Sequence, residues 1–347
     1  MLTDLRLANF RCFDQLRFEP APGTNFLIGA NAQGKTSILE AACVVTRLQS
    51  PRTASLAETV RHNRPGTAID AHIAKAHLHF RYEPPKKSLA LDSVPQTGTA
   101  DYLRAARVAW FSNDDMEIIR GSASKRRRAI DFLCGQLDAV HLRHLRAHDR
   151  ALRSRNALLK DARPRREIEA FDPILAEHGD FLAAARREAA AALAPLLAQA
   201  VHDIGGAAEN VSARYLPGHE GPLLTALKST CAEETRLRQT VAGPHRDDLA
   251  IELNGMSAAT FASEGQQRTL AIALKLAQTR LIMARTGQAP LLLIDDVFGE
   301  LDPARRQNLL AHLPAESQRL ITTTHLDWLD ASLQGAVFRL ERFALSA

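Results

Sequence analysis

The stretch Gly29-Ala30-Asn31-Ala32-Gln33-Gly34-Lys35-Thr36 constrains this chain more than any other. It fits the pattern G-x-x-x-x-G-K-[ST]. An apolar, β-prone run, Asn25-Phe26-Leu27-Ile28, leads in, and a helix-forming run, Ser37-Ile38-Leu39-Glu40-Ala41-Ala42, leads out. That strand–loop–helix setting is the one the pattern requires, and it commits the chain to an α/β fold. The glycines let the backbone turn its N–H groups toward phosphate oxygens, and the following helix adds the positive end of its dipole. Lys35 reaches the β- and γ-phosphates, and Thr36 offers a hydroxyl to Mg²⁺. The expected ligand is ATP with Mg²⁺, cradled by Gly29, Ala30, Asn31, Ala32, Gln33, Gly34, Lys35 and Thr36.

A second acidic element supports this. Leu291-Leu292-Leu293-Ile294-Asp295-Asp296 is an apolar strand ending in two carboxylates. The C-terminal ends of strands are where open α/β sheets bind ligands. Asp295 is expected to hold Mg²⁺ and Asp296 to polarise the attacking water. Farther along, Arg319-Leu320-Ile321-Thr322-Thr323-Thr324 is another buried-strand run, closed by His325. Upstream, Phe261-Ala262-Ser263-Glu264-Gly265-Gln266-Gln267-Arg268 opens a helix, so Ser263, the Gly265 amide and Gln266 offer donors to a phosphate.

The 347 residues allow two domains, or one large domain with an insertion. No run approaches eighteen apolar residues, so no membrane span is expected. The N-terminus lacks a signal-peptide layout. Cys12, Cys43, Cys134 and Cys231 are scattered and form no C-x-x-C pair, which fits reduced thiols and a cytoplasmic location.

The spacing of apolar residues predicts strands before residue 30, a helix from Ser37 to about Leu48, antiparallel strands over 67–92, and a short buried strand at Val108-Ala109-Trp110-Phe111. From about Ser124 to Val201 strand signal is scarce and helical spacing takes over. Two long amphipathic helices joined near Arg163-Pro164-Arg165-Arg166 predict an antiparallel arm. Strand alternation returns at Ala250-Ile251-Glu252-Leu253, turning at Asn254-Gly255, and a helix follows from about Gln266 to Arg285.

Charge is segregated along the chain. Between Arg120 and Arg166 fourteen Lys and Arg face four acids, a local +10 against +5 for the whole chain. Such a segment suggests a polyanion surface. Arg126, Arg127 and Arg128 form one cluster; Arg143, Arg146, Arg150, Arg153, Arg155 and Lys160 recur along one helix. Few aromatics accompany them, which favours phosphate contacts over base stacking.

Taken together, the phosphate loop, the Ser263 loop, the paired aspartates, Glu300-Leu301-Asp302 and His325 resemble the ordered motifs of ABC-type ATPase heads. More than 220 residues separate the phosphate loop from Ser263, and the inserted material is the basic helical segment, as in heads of chromosome-maintenance ATPases. Gly243-Pro244-His245-Arg246-Asp247-Asp248-Leu249, Lys125-Arg126-Arg127-Arg128-Ala129-Ile130-Asp131 and Arg155-Asn156-Ala157-Leu158-Leu159-Lys160 narrow the resemblance to the RecF family of bacterial DNA replication and repair proteins.

That resemblance implies an α/β ABC-type head built from residues 1–111 and 241–347, with an inserted helical arm at 112–240. It implies an ATP-dependent homodimer in which each phosphate loop meets the partner's Ser263 loop, and His325 as a switch histidine on the γ-phosphate. It implies binding of single-stranded and gapped duplex DNA, with Arg126, Arg127, Arg128, Arg153, Arg155 and Lys160 as contacts. RecR and RecO are the implied partners, and slow hydrolysis resets the clamp. Ala32 stands where the family usually has glycine, and Asn113 where it has proline. A transporter ATPase subunit and a small-molecule kinase are the rival classes. The first has no need of a basic insertion, the second none of Ser263.

Overall fold

A computed structural model describes residues 1–205, 209–326 and 334–346. The chain forms two compact units: Met1–Asp115 with Gln278–Ala347, and Met116–Ala277. Both chain ends therefore build one unit around an insertion. The insertion runs beyond residue 240, so the Ser263 loop falls in the second unit and not with the C-terminal part of the head.

The first unit carries two six-stranded sheets. One has the order Ala344–Ser346, Ala336–Glu341, Thr24–Ile28, Arg319–Thr323, Leu291–Asp295, Val108–Ser112. Its neighbours are parallel except for the terminal hairpin. Parallel strands are covered on both faces, which is why Thr24–Ile28 and Leu291–Asp295 read as nearly unbroken apolar runs. The register sets Asp295 beside Thr322 and Ser112, and Thr323 beside Ile28, so four strand ends share one edge. The other sheet is antiparallel, in the order Phe13–Phe18, Leu2–Phe10, Thr67–Ile73, Ala76–Glu83, Lys86–Leu91, Val94–Pro95.

The helix Lys35–Arg47 packs on strands of both sheets and buries every residue but Thr36. A helix covered on nearly every side belongs to the core, and Ile38, Leu39, Val44 and Val45 each contribute roughly 1.5–3 kcal/mol by leaving water. Its buried polar groups are matched. Arg47 Nη1 donates to Leu103 O and Ala106 O. Glu40 accepts from Arg11, Ser50 and Arg52.

The second unit is mostly helical. Its long elements are Ala123–Leu137, His141–Lys160 and the 34-residue Asp172–Gly205. The predicted helix pair is present, but it does not stand as a bare arm. Asp172–Gly205 packs on the strand Val211–Leu216 of a three-stranded antiparallel sheet completed by Asp248–Leu253 and Met256–Ser257. Ala151, Leu175, Leu223 and Leu227 lie in one core cluster. Among the described residues no helix is long and apolar enough to cross a membrane.

Candidate nucleotide site and basic helix face

The two glycines that the loop pattern fixes do different work. Gly34 has φ +95°, and a Cβ there would lie 2.6 Å from the Phe13 ring and 2.8 Å from Cys12 Sγ. Gly29 needs no such dihedral; a Cβ on it would come 2.5 Å from Leu340 O on the neighbouring strand. Ala32 adopts φ +64°, a left-handed conformation costing an alanine about 1–2 kcal/mol. Glycine would remove that strain, and the loop holds its shape without it.

Lys35 Nζ donates to Gly29 O at 2.6 Å and Ala30 O at 2.9 Å. Burial holds its pKa below the ordinary lysine value, opposed by the charges of Asp296 and Asp295. Thr36 Oγ1 and Thr322 Oγ1 both donate to Asp295 Oδ1, each at 2.7 Å. Thr322 Oγ1 also accepts the Asp296 N–H at 3.0 Å. Burial pushes the Asp295 carboxyl above the usual carboxylate range; burial and then the charge of Asp295 do the same to Asp296. No group of three or more His, Cys, Asp or Glu among the described residues is arranged to hold a metal. The oxygens of Thr36 and Asp295 suit Mg²⁺ all the same, because it is held by one or two protein oxygens together with phosphate and water.

These groups line a cleft of about 550 Å³ with the loop residues Asn31–Ser37, Arg11 and Arg52. Arg11 makes a bidentate pair with Glu40, at 2.9 and 2.6 Å, and Arg52 approaches the same carboxylate at 3.2 Å. Glu40, fully buried, thus fixes two guanidiniums on the wall of an anion site. Arg52, Glu40 and Thr322 are site residues that no sequence motif marks. A glutamate inside an otherwise apolar helix was the available signal, because a buried acid demands partners. His325 ends the expected strand, but it is exposed and lies outside the residues lining the cleft. Its carbonyl accepts from Thr323 Oγ1 at 2.9 Å.

The RecF/RecN/SMC N terminal domain family matches residues 1–334. The DNA replication and repair protein RecF of Lactococcus lactis is 33% identical over 336 residues, covering 94% of each chain. RecF of Staphylococcus aureus is 32% identical over 350 residues, covering 95% of this chain and 94% of the relative. The chain belongs to the RecF family. A solved structure of the recombination mediator protein RecF-ATPrS in the RecFOR pathway superposes with a TM-score of 0.88 at 26% identity, over 99% of this chain and 97% of the other. An Smc head bound to the C-winged helix domain of ScpA shares the fold, with a TM-score of 0.55 at 15% identity, over 99% and 95% of the two chains.

The remaining RecF-family motifs lie in the second unit. Ser263 Oγ accepts the Gln266 N–H at 3.3 Å, and Gln266 Oε1 accepts the Ser263 N–H at 2.8 Å. This reciprocal cap opens the helix Glu264–Thr286. The first-turn amides of Glu264 and Gly265 are out of reach of any helix carbonyl and so stay available to an anion.

The expected DNA contacts separate into two classes. Arg155 is a correction: its side chain is 0% exposed and ion-paired to Asp172 and Glu234, with Thr240 Oγ1 as a further acceptor. No phosphate reaches it. Arg126 is another; its Nε and Nη2 both donate to Asp248, at 2.6 and 2.9 Å. Arg127 is half-buried and donates Nη1–H to Asp247 O. Arg128, Arg153 and Lys160 are exposed, as are Arg143 and Arg150. At about 100° per residue, Arg143, Arg146, Arg150, Arg153 and Lys160 fall within one stripe of the helix His141–Lys160. Arg155 points about 120° away from Arg143, onto the side of the buried Ala151 and Leu159.

Proposed function

We propose that this RecF-family chain is an ATP-dependent DNA-binding clamp of recombinational repair that acts in the cytoplasm. The observation that carries the reading is the cleft itself. The phosphate loop, Lys35, Thr36 and the two aspartates from a separate strand meet there, with Thr36 already bonded to Asp295. Relatives named DNA replication and repair protein, and a solved RecF-ATP structure in the RecFOR pathway, support it.

On this reading the loop amides and Lys35 bind the triphosphate. Thr36 and Asp295 would hold Mg²⁺, which would supply neutralisation of phosphate charge. Asp296 orients the attacking water, and His325 hydrogen-bonds the γ-phosphate in the closed state. Ser263, Gly265 and Gln266 face the nucleotide held by the partner protomer, so ATP joins two chains. The exposed stripe Arg143, Arg150, Arg153, Lys160, together with Arg128, contacts single-stranded and gapped duplex DNA through phosphates. Hydrolysis is slow and resets the clamp. RecR and RecO are the partners with which recombinase is loaded.

Lys35→Ala tests the nucleotide assignment. It removes the loop's cation, and ATP retention in a filter assay should fall to background, while DNA binding without nucleotide stays. Tight ATP binding by Lys35→Ala would remove the assignment.

A further inference from the structure

We propose that Asn113 and Thr322 are positioning residues that together hold Asp296 in place to orient the attacking water; the proposal rests on the hydrolysis reading above. Asp296 has φ +54°. Residues with side chains keep such a backbone where their surroundings over-determine it. Here both ends of the residue are held. Its N–H donates to Thr322 Oγ1 at 3.0 Å, and its C=O accepts from Asn113 Nδ2 at 3.2 Å. The strand Leu291–Asp295, which Asp296 follows, lies between Arg319–Thr323 and Val108–Ser112 in the sheet. Thr322 belongs to one flanking strand, and Asn113 follows the other. The clamp therefore closes on Asp296 from both neighbours.

The polarity of the Thr322 hydroxyl is fixed. Because Oγ1 accepts the Asp296 N–H, its own hydrogen goes to Asp295 Oδ1. One hydroxyl thereby orients the carboxylate expected to hold Mg²⁺ and the backbone of the carboxylate expected to orient water. A β-branched residue suits this, since its χ1 is stiff. Asn113 acts on Asp296 alone. Misplacing a reacting group by an ångström is enough to slow chemistry about a hundredfold, so removing either hydrogen bond should appear in turnover.

The test uses the full chain with Thr322→Val, Thr322→Ser and Asn113→Ala. Thr322→Val should lower kcat roughly thirtyfold and Asn113→Ala roughly tenfold, the latter with the ATP Kd within about twofold of wild type. Thr322→Ser keeps the hydroxyl and should recover most of the rate. Amide hydrogen exchange of the nucleotide-free chain gives a readout independent of activity. The Asp296 amide should exchange at least about tenfold faster in Thr322→Val and stay protected in Thr322→Ser. Wild-type kcat in both Thr322→Val and Asn113→Ala would overturn the proposal, and so would an Asp296 amide that stays protected in Thr322→Val. Absence of turnover in the wild-type chain itself marks instead the failure of the hydrolysis reading, which takes this proposal with it.

Discussion

In the first unit, eight consecutive residues make the phosphate cradle, and what the sequence places together the backbone keeps together. In the second, helix geometry and distant acids send some of the fourteen basic residues between Arg120 and Arg166 to an exposed stripe and Arg155 to a buried ion network. A backbone-defined site survives translation from sequence to surface. A charge-defined one does not, because a cation's role depends on which acid reaches it. Arg155 and Arg153 stand two positions apart, yet one is interior and the other faces solvent.

The sharpest way to break this contrast is Arg155→Ala. It would leave Asp172 and Glu234 buried without their cation, and losing one partner of a buried pair costs about 3–5 kcal/mol. Hydrogen exchange over the helices His141–Lys160 and Asp172–Gly205 should show protection falling by that amount. Arg153→Ala should stay within about 0.5 kcal/mol of wild type. Equal effects from the two substitutions would erase the distinction between interior and stripe.

A neutral group in the same unit sharpens it further. His245 Nε2 lies 3.0 Å from Thr240 O, while buried Nδ1 has no partner. Burial pushes the imidazole pKa down to about 4, against about 6.5 in an unfolded chain. The unfolded state therefore takes up the proton first. The stability present above pH 6.5 should decline as pH falls and be lost by about pH 4, a total of roughly 3 kcal/mol. His245→Gln should flatten that window in urea unfolding followed by far-UV circular dichroism. An unchanged slope between pH 6.5 and 4 in this variant would mean that other groups carry it.

The stripe itself predicts a smaller, salt-dependent effect. Changing Arg143, Arg150 and Arg153 to Glu should lower the slope of log K against log salt by about one for each DNA phosphate left unneutralised. Arg126→Glu should leave that slope alone and reduce stability instead, because it breaks the pair with Asp248. The reverse pattern would place the DNA surface on the 126–128 cluster.

The phosphate loop, both aspartates and the flanking strands were legible in the sequence because each is a local pattern with its own periodicity. Helix periodicity alone was enough to set Arg155 apart, since it shares a face with Ala151 and Leu159. Arg126 could not be sorted that way; its partner Asp248 is 122 residues distant. Thr322 and Asn113 were equally hidden, because their roles come from strand order in the sheet. The strands Val211–Leu216 and Ala336–Glu341 went unread although Arg214, Arg339 and Glu341 take the outward positions of an alternating pattern. The Ser263 loop was recognised as a motif, but its place in the second unit follows from tertiary contacts that no local pattern encodes.

On the proposed function, the cleft of one chain is completed by the Ser263 loop of another. Ser263→Arg should bind ATP as a monomer yet fail to close, so ATP-induced dimers by light scattering and hydrolysis should both vanish. Lys35→Ala should be inactive for the opposite reason. Mixed, the two variants form a dimer with one site in which both the phosphate loop and the Ser263 loop are intact. ATPase measured across mixing ratios should rise to a maximum near equal amounts, where neither variant alone shows activity. Flat, additive activity across the series, with Ser263→Arg dimerising normally in ATP, would contradict a shared site.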